Sequence, residues 1–102
     1  MYLGLDIGTS SVKAVLIDGD DAIVAVADRA LTVERPQPLW SEQDPESWIA
    51  ATLAAVDELA ASHPRELAAV AGIGLSGQMH GAVLLDAADR VLRPCILWND
   101  GR

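Results

Sequence analysis

Residues 2–30, YLGLDIGTSSVKAVLIDGDDAIVAVADRA, decide the fold. Along residues 2–7, Leu3, Leu5 and Ile7 fall on one face and Tyr2, Gly4 and Asp6 on the other, the two-residue period of a strand. Residues 11–17 (SVKAVLI) read as a second strand. DGDD at 18–21 reads as a turn with Gly19 available for positive φ, and residues 22–30 as a third strand. Short turns between alternating apolar runs predict an antiparallel meander. Where the first strand gives way to the second stand Asp6, Gly8 and the three hydroxyls of Thr9, Ser10 and Ser11, with Lys13 just beyond. That turn suits something negatively charged, either a phosphate with its metal or the chain's own backbone.

Outward from the meander, residues 35–44 hold Pro36, Pro38 and Trp40 and read as a loop, because proline lacks a donor and restricts its predecessor. A helix over about 45–61 follows, with Asp44 as N-cap, Pro45 at the first helical position and Glu46 at the positive end. Trp48, Ile49, Thr52, Leu53, Val56, Leu59 and Ala60 recur at helical spacing and predict its buried stripe, ended by His63 and Pro64. Residues 70–76 (VAGIGLS) are expected to form a central strand parallel to the first, reached by a right-handed helical crossover. AVLLDAADRVL reads as two strands about an Asp–Ala–Ala–Asp turn, and CILW as a last strand. No second helix follows to cover the sheet's other face, so a piece of a longer protein is expected.

Composition narrows the function. A length of 102 residues fits one domain that buries about 60–65% of its extended surface. The formal charge of -8 and the lack of a Lys/Arg cluster argue against a nucleic-acid partner. No apolar run approaches the roughly 20 residues of a membrane span, and no leader is evident, so a cytoplasmic location is expected. Cys95 stands alone and reads as a small apolar filler in a reducing compartment.

If the first strand and strand 70–76 are parallel neighbours, Asp6-Ile7-Gly8-Thr9 and Ser76-Gly77-Gln78-Met79-His80 leave the sheet at one edge, where open α/β sheets bind ligands. Asp6 is then the carboxylate nearest a metal or phosphate, the N–H groups around Gly8, Thr9 and Ser10 a cradle, and Lys13 a point charge. An ordinary hairpin turn, with Asp6 capping backbone and Lys13 solvated, remains the alternative. Gln78 and His80 offer donors and acceptors to hydroxyls, against a loop hydrogen bond or a core role for His80. Trp48 is expected in the helix core and Trp40 as a loop anchor. Trp98 reads as a cap over the sheet edge or an apolar wall for a small ligand, and Asp100 as a ligand contact or a turn acceptor from Gly101 and Arg102.

Four stretches, YLGLDIGTSSVKAVLIDGDD, PLWSEQDPESW, GLSGQMHGAVLLD and RVLRPCILWNDGR, are spread from one end of the chain to the other. Together they resemble the N-terminal portion of the FGGY family of carbohydrate kinases, and within it the kinases of xylulose, whose fold is actin-like or ribonuclease-H-like. DxGT alone is shared with actin-like proteins and chaperone ATPases. SGQMHG with LWSEQDP and ILWNDGR is the more specific set.

The resemblance implies that residues 1–102 are the N-terminal part of the first, sugar-binding domain of a two-domain kinase. It implies ATP and Mg²⁺, with Asp6 organising the metal-bound phosphates, through water, and Gly8, Thr9, Ser10 and Ser11 forming the first phosphate loop. Met79 and His80 match the sugar-contacting pair, with Gln78 beside them, while Asp100 and the Trp98 segment line the sugar side. The general-base aspartate and the adenosine site are implied to lie beyond residue 102, so this stretch by itself is expected to be inactive. The implied reaction moves the ATP γ-phosphoryl group to the 5-hydroxyl of D-xylulose, in a full-length protein with room for a homodimer. A non-enzymatic actin-like or sugar-sensing module, and a kinase for another pentulose or polyol, remain the rival readings.

Overall fold

A computed structural model describes residues 1–102. Three strands, β1 (Tyr2–Ile7), β2 (Ser11–Ile17) and β3 (Ile23–Ala30), form the expected meander. β4 (Glu42–Gln43), α1 (Pro45–Ser62), α2 (Pro64–Ala68), β5 (Gly72–Gly77) and β6 (Cys95–Ile96) follow. The main sheet runs β3-β2-β1-β5, with β1 antiparallel to β2 and parallel to β5, the expected α/β arrangement of meander, helical crossover and parallel strand. Within residues 1–102 β5 pairs on one side, with β1, and Ile73 and Leu75 are exposed on it.

The two-residue period places Leu3, Leu5 and Ile7 opposite Leu16, Ala14 and Val12, and α1 lies over that face. Leu3, Ala14, Leu16, Ala27, Ala55 and Leu59 make the core, joined at its margin by Val24, Val56, Leu67 and Val70. α1 begins as expected: the Asp44 carboxylate accepts from the Glu46 N–H and Pro45 takes the first turn. Its buried face differs from the expected stripe. Ala51, Ala55 and Leu59 face the sheet, while Ile49, Leu53 and Ala60 are exposed. Small residues allow the close approach to β2 and β3, and the larger ones fall on the flank.

The turns also depart from expectation. No glycine has positive φ; Asp21 takes the left-handed position at φ 60. Asp18 fixes this turn by accepting from the N–H groups of Asp20 and Ala22. Asp86 does the same for Ala88 and Arg90, with Asp89 at φ 61, so DGDDA and DAADR build the same turn. Around the second turn only isolated bridges form, Leu85 to Val91 and Ala82 to Ile96, in place of two strands. The expected CILW strand shortens to Cys95–Ile96, which pairs with β4 inside the stretch read as loop. No helix is long and apolar enough to cross a membrane.

Candidate active-site cleft

The parallel register sets Asp6 beside Ser76 and Ile7 beside Gly77, so β1 and β5 end together. Their following loops line one open cleft of about 490 Å³, formed by Asp6, Gly8, Thr9, Gly77, Gln78, Met79, His80 and Trp98. Asp6 stands exposed at its floor. Lys13 is opposite Asp6 across the β1–β2 pair, on the same face, with no ion pair between them.

In the first loop the Gly8 N–H donates to the Ser11 carbonyl at 3.0 Å, and a Cβ on Gly8 would meet that oxygen at 3.0 Å. Gly8 therefore shapes the turn, and its N–H is not open to an anion. The N–H groups of Thr9 and Ser10 have no acceptor within the chain, leaving two adjacent unengaged donors. Ser11 opens β2. The Thr9 hydroxyl donates to Gln78 Oε1 at 2.9 Å and accepts from Trp98 Nε1 at 3.1 Å. It ties three segments together, and Trp98 serves both as a cap on the β1 loop and as a wall of the cleft.

In the second loop Met79 and His80 are exposed to the cleft, and His80 adopts φ 63. A left-handed non-glycine residue here costs backbone strain, of the sort that gathers at ligand sites. Gln78 reaches back into the protein, donating to Gln43 Oε1 at 3.2 Å as well as accepting from Thr9. On the helix side, Ile7, Trp48, Gln78, His80 and Val83 border a second, more apolar hollow of about 310 Å³. Trp48 is thus a half-buried wall of that hollow, where the helix core was expected.

Asp100 does not line the cleft. Its carboxylate accepts from the Ser41 N–H at 2.7 Å, from the Arg102 N–H at 2.9 Å and from the Arg102 guanidinium at 2.7 Å. The Gly101 N–H goes instead to Leu39 O. Arg102 holds the Asp100 carboxyl well below the usual carboxylate range; burial opposes the shift, and the Ser41 and Arg102 N–H groups add to it. Arg102 also donates to buried Glu42, which Arg93 approaches at 3.2 Å, and stacks over Trp40, with its central carbon 3.7 Å from the ring centroid. These contacts anchor the Trp40 loop and fix the backbone from which Trp98 projects. Cys95 is fully buried, as expected for a filler, and burial pushes its thiol up.

Sequence reasoning passed over Ser41, Glu42 and Gln43. They are polar, lie among prolines and carry no periodic signal, yet all three are buried.

The family model of the N-terminal domain of the FGGY family of carbohydrate kinases matches residues 1–102. The chain belongs to the FGGY family. A xylulose kinase of Escherichia coli (strain K12) is 56% identical over all of this chain and 21% of its own length. Among solved structures, a kinase from Brucella ovis described as a xyloylose kinase superposes at TM-score 0.96 with 64% identity, over 99% of this chain and 21% of the other. The xylulose kinase of Rhodospirillum rubrum does so at TM-score 0.94 with 40% identity, over 99% and 21%. The chain spans about a fifth of the length of these relatives. With these FGGY kinases it shares the actin-like α/β fold, and its cleft loops are the ends of that fold's first and parallel strands.

No three His, Cys, Asp or Glu side chains gather into a metal site. A lone exposed carboxylate still suits Mg²⁺, which keeps several waters and takes one or two carboxylates alongside substrate phosphates.

Proposed function

We propose that the full-length protein carrying this chain transfers the γ-phosphoryl group of ATP to the 5-hydroxyl of D-xylulose, a cytoplasmic reaction forming D-xylulose 5-phosphate. The observation that carries this reading is the parallel β1–β5 pairing. It gathers an exposed carboxylate, the unengaged Thr9 N–H and the Met79–His80 loop around one cleft, with the Ser10 N–H next along the chain. Support for the sugar comes from relatives described as xylulose kinases at 56% identity.

Asp6 is the residue to hold Mg²⁺, through water, and Lys13 on the same face adds a point charge. When bound, Mg²⁺ supplies positive charge that offsets charge gathering on the transferred oxygens. The Thr9 and Ser10 N–H groups orient the phosphates without reorganisation, because the Gly8–Ser11 turn already fixes them. Gly8 and Ser11 act by closing that turn. His80 and Met79 take the sugar, His80 through hydroxyls and Met79 through its apolar side chain. Gln78 and Thr9 support this arrangement from behind, Trp98 walls it, and Asp100 acts by anchoring the Trp98 segment. Catalysis is then largely positioning and electrostatics.

The test is steady-state kinetics of the full-length protein with a panel of ketopentoses and polyols, followed by two variants. His80→Ala is expected to lower kcat/KM for xylulose roughly ten- to hundredfold, mainly through KM. Asp6→Ala is expected to lower kcat and raise the Mg²⁺ requirement with sugar affinity little changed. Phosphorylation of another sugar in preference to xylulose, or equal loss of sugar affinity in both variants, would overturn the reading.

A further inference from the structure

Gln43 lies in neither cleft loop, yet it joins both. Its side chain is fully buried and all four of its hydrogen-bonding positions are filled. Nε2 donates to Thr9 O at 2.9 Å and Thr32 O at 3.2 Å; Oε1 accepts from Trp48 Nε1 at 2.7 Å and Gln78 Nε2 at 3.2 Å. The partners fix the amide's orientation. Turned over, it would set oxygen against two carbonyls and N–H against the indole N–H. Glu and Met, though close in size, each lack part of this set: Glu cannot donate to the carbonyls, and Met can do neither.

We infer that Gln43 is a positioning residue that sets the separation of the two cleft loops. It holds the Gly8–Ser10 loop through the Thr9 carbonyl and the Met79–His80 loop through Gln78. Gln78 closes the circuit, because its own Oε1 accepts from the Thr9 hydroxyl. Trp48 ties the same amide to the first turns of α1, so the separation is referred to the helix and not to either loop. This rests on the proposed phosphoryl transfer, in which one loop carries phosphate and the other sugar. A change in their separation disturbs the approach of the reacting groups more than the binding of either substrate.

Two readouts on the full-length protein test this. In Gln43→Met and Gln43→Glu, kcat should fall about ten- to hundredfold while KM for xylulose and for Mg·ATP each change less than threefold. Gln43→Met added to Gln78→Met should lower kcat less than threefold further, since both act in one circuit. Independently of any substrate, hydrogen exchange at amides 8 and 78, the hydrogen-bonded amides of the two loops, should quicken at least tenfold in both variants, with amides 12–16 of β2 unchanged. A drop in Tm with kcat per folded enzyme intact would make Gln43 merely structural and overturn the inference, as would additive kcat losses or unchanged loop exchange. Should the variants not fold, the wild-type Gln43 side-chain amide protons decide: slow exchange is expected, and exchange at the rate of exposed glutamines overturns it. Failure of xylulose phosphorylation alone would touch the proposed function and leave the exchange result standing.

Discussion

Gly77→Ala should open the cleft from its root. Gly77 pairs with Ile7 at the last register position before both loops depart, and a Cβ there would stand 2.9 Å from the Ile7 carbonyl oxygen. Backbone cannot swing aside as a side chain does. Reaching the 3.4 Å at which ordinary contacts begin requires the strands to part by about half an ångström. The next hydrogen bond, Gln78 N–H to Ile7 O at 3.1 Å, would then lengthen to about 3.6 Å and cease to count as one. Overpacking costs about 1–3 kcal/mol and the lost bond about 0.5–1.5 kcal/mol. Gly19→Ala is the control, since nothing lies within 4 Å of a Cβ there and its φ is ordinary. Both changes reduce unfolded-chain entropy alike, so Gly77→Ala should be about 2–4 kcal/mol less stable than Gly19→Ala. Because a displacement near 1 Å costs on the order of a hundredfold, half of that should lower kcat roughly tenfold. Urea denaturation and steady-state kinetics of both variants in the full-length protein provide the measurement. Equal midpoints and equal kcat would refute the argument that strand contact at Ile7 sets the loop positions.

His80→Gly should leave stability unchanged or raise it by up to about 1 kcal/mol, since φ 63 strains any side chain and no hydrogen bond holds the imidazole; KM for sugar should rise all the same, and a marked loss of stability would show the ring to be structural. Asp100→Asn should give a pH-dependent stability gap. The depressed carboxyl stabilises the fold fully above its ordinary value of 3.8 and loses that contribution as pH falls toward its folded value. Wild type should therefore exceed the variant at pH 7 and converge on it in acid, and a constant gap in thermal melts from pH 7 to 2.5 would contradict the Arg102 contact as the cause.

Much of this was legible beforehand because local chemistry and tertiary placement agree. Alternation in β1 and β2 is enforced by one buried face, and the strand order alone brings Asp6 and His80 to one edge. Legibility failed where neighbours decide. α1 offered two apolar flanks, and the close sheet selected Ala51 and Ala55 over Ile49 and Leu53. Asp21 displaced Gly19 from the left-handed position because Asp18 holds the turn at both N–H groups beside it. Gln43 stood inside the LWSEQDP stretch of the resemblance but carried no periodic signal of burial, since that burial depends on two carbonyls, an indole and a side-chain amide brought from four separate segments. Asp100 read as a ligand contact or a turn acceptor; Arg102 supplies the expected turn contact, while Ser41, 59 residues away, gave no local sign.

The Trp98–Thr9 hydrogen bond joins residues 89 positions apart, and Arg102 reaches back 60 to Glu42. On a ribosome adding about 5–20 residues per second, the Gly8–Ser11 turn is made first yet waits roughly 5–20 s for the indole that pins it. Until then Thr9 can be held only by partners already synthesised, beginning with Gln43 and then Gln78. The order of birth thus runs from strand to amide clamp to indole latch, and a nascent chain paused before Trp98 should carry a formed meander with an unlatched first loop.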